Sequence, residues 1–233
     1  MTAANAVRQV FGFFGFLGRR TGKTRVFAIL GLIPVALAIV VRIVLHGRSG
    51  PMAAVFTEIL MVFFLQFYIV ILALFYGSSV TAEEVENRTL SYLITRPIPK
   101  PAIVLGKFAA YALLMFAMVA ISLALSYFIM NAARLSDPEL YLTFLRYLGV
   151  LGLGILAYTA FFTFLGTFLK RAIIVGLVFG FGWENVIQYF PGSTQKFSIV
   201  HYLKSLLPYH PASISGGRGV ALLLFRLEPT KPL

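Results

Sequence analysis

The chain has 233 residues, of which 59% are apolar and only 12% charged, against about 25% charged in an ordinary soluble domain. So little charge cannot solvate a water-exposed surface of this size, which must instead face lipid or other helices. The formal charge of +12 does not point to nucleic acid, because the basic residues sit at the ends of apolar runs and do not interleave with aromatics on a polar segment.

Residues 1–25 read as a cytoplasmic and interfacial segment. Within it, 5–18 are too short to span and carry Phe11, Phe13, Phe14 and Phe16 beside Arg8, which predicts a helix lying in the interface. Arg19, Arg20, Lys23 and Arg25 follow as headgroup anchors. Gly18 to Thr24 looks like a phosphate-binding loop but fails on spacing: the first glycine would have to be residue 17, which is Leu17. The apolar run behind these charges has no small-residue cleavage site and reads as a retained helix rather than a signal peptide.

Residues 26–190 read as a transmembrane domain of about five spans, at 26–45, 54–80, 108–130, 145–169 and 172–190. Each is near the ~20 residues that cross ~30 Å of hydrocarbon. The expected fold is all-α, a polytopic membrane helix bundle with an N-terminal interfacial helix. Pro34 should kink the first span.

Positive charge orients the set. The N-terminal segment, the 81–107 connection (Arg88, Arg96, Lys100, Lys107) and the Lys170-Arg171 turn outweigh Arg48, Arg134 and Arg146 on the other side, with Arg42 at its rim. The N-terminus and those two connections are therefore expected in the cytoplasm, and the protein in the inner membrane.

The 81–107 connection, TAEEVENRTLSYLITRPIPKPAIVLGK, is the expected seat of function. Thr81 with Glu84 fits a capping box, and Glu83, Glu84 and Glu86 suit the positive end of a helix dipole. Val85, Thr89, Tyr92 and Leu93 share a stripe that Leu90 and Ile94 widen, and Arg88 adds charge beside it. Arg96 closes the helix, because Pro97, Pro99 and Pro101 forbid its continuation; Pro101 can then open the next helix. The result is a short amphipathic helix held under the membrane, suited either to docking a partner or to lying solvated at the rim.

Beyond the fifth span, 191–233 read as an outer-face segment and a stub. Residues 196–207 have helical spacing but cannot span, so they should lie on or dip into the outer face. Val220–Leu227 is too short to cross.

Other chemistry is thinly supported. The absence of cysteine removes disulfides and thiolate sites, and His46, His201 and His210 have no metal-ligand spacing. No catalytic residue, bound cofactor or metal is expected. Arg42, Glu58, Gln66, Glu184 and Asn185 are the candidate intramembrane polar groups, costly enough in hydrocarbon to need a role. Arg42 and Glu58 lie at similar depth and are first read as an ion pair, with lining a pathway second; Glu184, with Asn185 beside it, is the best single candidate for a pathway or gating role, behind an outer-face hydrogen-bonding role. Gly176 and Gly180, one turn apart, permit close helix approach, as do Gly149, Gly152 and Gly154.

The string Glu84-x-x-x-x-Thr89-Leu90-x-x-Leu93-x-Thr95-x-Pro97-Ile98-x-Lys100, ending in Gly106-Lys107, resembles the signature of ABC-2 type transporter permeases. Trp183-Glu184, with a leucine-rich segment ending near Pro208, is similar to the end of the fifth span in the subgroup of sodium- and copper-associated permeases. The likeness covers roughly residues 8–210. It implies a transport subunit, acting in export, that pairs with a second permease subunit in a homodimer or heterodimer and with separate nucleotide-binding ATPase subunits. ATP and Mg would bind those partners, not this chain. Residues 81–100 would be the coupling element, 5–18 an elbow helix and 191–210 short re-entrant helices. The family has six spans, so the chain is expected to lack the sixth. Two rivals remain: a membrane scaffold recruiting a soluble protein through the same helix, and a secondary transporter or channel, which the scarcity of mid-membrane carboxylates disfavours.

Overall fold

A computed structural model describes residues 22–44, 61–80, 100–132, 135–169, 172–183 and 198–207, with Asn5, Arg8, Gln9, Phe11, Gly12, Phe56 and Ile187 besides. Most of the expected interfacial helix at 5–18 lies outside these residues. Those described are helical, with no strand among them.

The first span is two helices, α1 (Gly22–Leu30) and α2 (Leu32–Val44), broken at Gly31. Pro34 causes the break: it cannot donate to the Leu30 carbonyl, and its ring crowds that turn. The Gly31 N–H still reaches the Phe27 carbonyl at 2.9 Å, so the chain bends without losing its direction. Thr24–Val44 together remain long and apolar enough to cross a membrane.

Helix α3 (Phe64–Ser79) begins as a π-helix over Phe64–Tyr68 and continues as an α-helix from Ile69. It is apolar on every face and almost wholly buried, as a central helix must be. Helices α4 (Lys100–Met130) and α5 (Pro138–Phe168) have 31 residues each. At 1.5 Å per residue they reach roughly 46 Å, so they project beyond ~30 Å of hydrocarbon. They accordingly begin before the apolar runs at 108 and 145. At the start of α4, Pro101 sits where no intrahelical donor is required. At the start of α5, Asp137 accepts the Glu139 N–H at 3.1 Å, with Pro138 in the first turn. Helix α6 (Ala172–Trp183) turns π-helical from Val178, and α7 (Ile199–Ser205) is capped by Ser198, which accepts the His201 N–H at 3.3 Å.

The helices run up and down with α3 at the centre. It packs chiefly on α5, and α4 packs on α2 and α5; α6 lies against α5 and α3, and α7 against α5. Close approach of α3 and α5 depends on Gly77, where a methyl would stand 3.1 Å from both Phe162 Cβ and the Thr159 carbonyl oxygen. Thr163 Oγ1 also donates to the Gly77 carbonyl at 3.2 Å. At the end of the bundle near Met130 an aromatic cluster closes the core. Phe56 meets Tyr127 at 5.0 Å and Tyr147 at 5.5 Å, while the Tyr127 hydroxyl donates to the Leu140 carbonyl at 3.0 Å. The perimeter is apolar too: Ile29, Ile43, Ile121 and Phe168 are all more than 60% exposed, a surface suited to lipid.

Candidate functional site

The connection singled out by sequence falls between Val80, just past α3, and Lys100, the first residue of α4. Glu83, Glu84, Glu86, Arg88, Thr89, Leu90, Leu93, Arg96 and Pro97 lie outside the described residues, and Lys100 is described only as the first residue of α4. The frame that holds this connection is on view. Ser78 and Ser79 turn their hydroxyls back to the Leu74 and Phe75 carbonyls and finish α3, Ser79 at 2.6 Å. Tyr76 is the junction of three helices. Its hydroxyl shares a 2.7 Å hydrogen bond with Thr24 Oγ1 on α1, and its ring lies 5.6 Å from Phe27 and 5.5 Å from Tyr111 on α4.

Two sequence readings change here. Thr24, the last residue of the false phosphate loop, belongs to that junction. Lys107, counted among the cytoplasmic charges of the 81–107 connection, is only 2% exposed and lies buried near the start of α4.

At the other end, Arg42 Nη1 donates to the carbonyl of Ile129, one residue from the end of α4. A cation there opposes the negative end of the helix dipole and caps a carbonyl with no intrahelical partner. The partner described for Arg42 is thus a helix terminus; Glu58, its expected ion-pair partner, lies outside the described residues, as do Glu184 and Asn185. Gln66 is half-buried within the π-helical turn of α3.

Between these ends lies a polar centre that the sequence reading missed. At the break two neighbouring helices supply hydroxyls to backbone carbonyls of the first span. Tyr68 on α3 donates to Phe27 at 3.1 Å, and Ser122 on α4 donates to Gly31. Side-chain bonds from neighbouring helices help to hold a proline-broken helix within a membrane. The available signal was a buried-depth Tyr and Ser in otherwise apolar runs at the level of Pro34.

Gly176 and Gly180 are packing positions within this chain. A methyl at Gly176 would collide with Leu74 Cδ1 and stand 3.0 Å from Phe162, and one at Gly180 would come 2.5 Å from Val70. They let α6 lie directly on α3, where Phe67 and Phe181 meet edge to face at 5.2 Å, joining the two π-helical turns. Among the described residues no group of three or more His, Asp and Glu is placed to hold a metal ion.

The family described as ABC-2 family transporter protein matches residues 37–230. No curated protein and no solved structure matches the chain.

Proposed function

The chain belongs to the ABC-2 transporter family and is a permease component of an ABC transporter, and on that premise we propose that it forms the membrane pathway of an ATP-driven exporter, coupled through 81–100 to separate ATPase subunits. The observation that carries the reading is the frame of that segment. The 81–99 connection is tied directly to α3, the buried centre of the bundle, and to α4, which reaches past the hydrocarbon at its Lys100 end.

A displacement of the connection by a partner would therefore act on the core and not on a loose rim. Thr24–Tyr76 and Tyr76–Tyr111 would pass it to the first span and α4, and the Gly77 crossing would pass it to α5. Packed helices shift as bodies between discrete arrangements, which is the kind of step alternating access needs. The N-terminus is cytoplasmic in this reading, the membrane is the inner membrane, and a second permease subunit completes the pathway. ATP and Mg are bound by the ATPase partner.

The test is co-purification in mild detergent. A nucleotide-binding subunit should be recovered with the wild-type chain and lost when Glu84, Arg88 and Leu93 are replaced together by Ala. Its recovery undiminished by that triple replacement would overturn the coupling role of the segment. Recovery of a soluble partner without ATPase activity would favour the scaffold.

A further inference from the structure

A cleft of about 290 Å³ opens on the flank of the bundle where the broken first span diverges from α4. Its walls are Ile29, Leu32 and Val35 on one side and Met118, Ile121 and Leu125 on the other. Tyr68 and Ser122, 1% and 4% exposed, lie at its base, and both hydroxyl protons are committed to the carbonyls of the break. Both walls belong to helices long and apolar enough to span, and the rim residues Ile29, Leu32, Ile121 and Leu125 are 46–66% exposed. The mouth therefore opens into hydrocarbon.

Three occupants can be weighed physically. Water needs two to four polar partners, and the lining offers almost none. A vacant cleft forfeits the dispersion contacts of every group that lines it. A second copy of the chain would have to fill the cleft with side chains alone, and the experiment below tests for it. Flexible hydrocarbon meets none of these objections: an apolar cavity of about 150 Å³ already accepts a benzene ring, and this one is about twice that size.

We propose that the cleft between the broken first span and α4 seats one acyl chain of a bilayer lipid. The chain lies against the turn that Gly31 and Pro34 open, so straightening of the first span narrows its seat. This inference stands on the cleft and not on the transport reading.

The test uses the full chain in nanodiscs of a phospholipid carrying a photoreactive diazirine midway along one acyl chain, with adducts mapped by mass spectrometry. Adducts at Ile121 and Leu125 should exceed those at the comparably exposed Leu153 and Leu156 roughly tenfold, equivalent to a preference of about 1.4 kcal/mol for the seat. Ala28→Phe, at an exposed position on the cleft, should abolish the excess and leave Leu153 and Leu156 unchanged; Val35→Phe is the second filling variant. Equal adduct yields at all four positions overturn the proposal, as does an excess that survives both fillings. A cysteine at Leu125 that disulfide-links to a second copy in the membrane also overturns it, by naming that copy as occupant.

Discussion

Tyr68 reaches the Phe27 carbonyl at 3.1 Å by passing over Gly31, where a methyl group would collide with the tyrosine hydroxyl. The glycine therefore does two things at once. It takes the bend imposed by Pro34, and it leaves room for the side chain that bonds across the bend. Gly31→Ala should destabilise the chain by about 1–3 kcal/mol through overpacking, and Tyr68→Phe by about 1 kcal/mol through loss of the hydrogen bond. The double variant should cost less than the sum, because removing the hydroxyl relieves part of the clash. Thermal unfolding in detergent measures all three; strict additivity would separate the two residues.

Ser122 donates to the Gly31 carbonyl at the same bend. Ser122→Ala should cost about 1 kcal/mol, in the range of interhelical hydrogen bonds in membranes. Ser126, one turn on, bonds within its own helix, to the Ser122 carbonyl at 2.8 Å. Its replacement by Ala should change the melting temperature less than Ser122→Ala does. The reverse order would remove Ser122 from the bend.

The glycines of α5 and α6 should separate by what faces them. Gly176→Val should destabilise by roughly 1–3 kcal/mol, since Leu74 and Phe162 occupy the space its side chain needs. Gly149 faces nothing within 4 Å, so Gly149→Ala should be neutral or stabilising by up to about 1 kcal/mol. Paired melting curves decide this directly. Equal losses would refute the close packing of α6 on α3.

Helix α7 buries one face in the bundle. Val200 and Leu203 are 0% and 5% exposed, Tyr202 is 56% exposed, and a methyl at Gly154 would stand 3.1 Å from Leu203 Cδ1 near the middle of α5. The chain has no cysteine, so single cysteines can be introduced on an unmodified background. A maleimide should label Tyr202→Cys much faster than Leu203→Cys in proteoliposomes. Equal rates would place α7 on the surface, free of α5.

Helical class and membrane residence were legible because composition and apolar length report transfer free energy residue by residue, and that quantity needs no knowledge of neighbours. The run from Leu32 to Val44 and the long helices around 108–130 and 145–169 announced themselves this way. Helix starts beyond the lipid were legible where a proline marked them, as Pro101 does for α4, and were missed at α5, which extends through residues of mixed polarity to Asp137 and Pro138. The bend was legible from Pro34, but its place one turn earlier was not. The proline acts on the carbonyl of the residue four before it.

Polar contacts within the bundle were not legible at all. The bond from Arg42 to the Ile129 carbonyl at the end of α4 is one that depth-matching of charges did not foresee. Ser122 lies 91 residues from Gly31, and Thr24 lies 52 from Tyr76. A backbone carbonyl has no letter in the sequence, so nothing in the string of residues announces it as a partner. The sequence by itself determined that these segments are helices and that they belong in lipid, because both follow from local chemistry. Only the tertiary structure decided which hydroxyls complete the bend and which glycines admit a neighbour, because both depend on what the fold brings within a few ångströms.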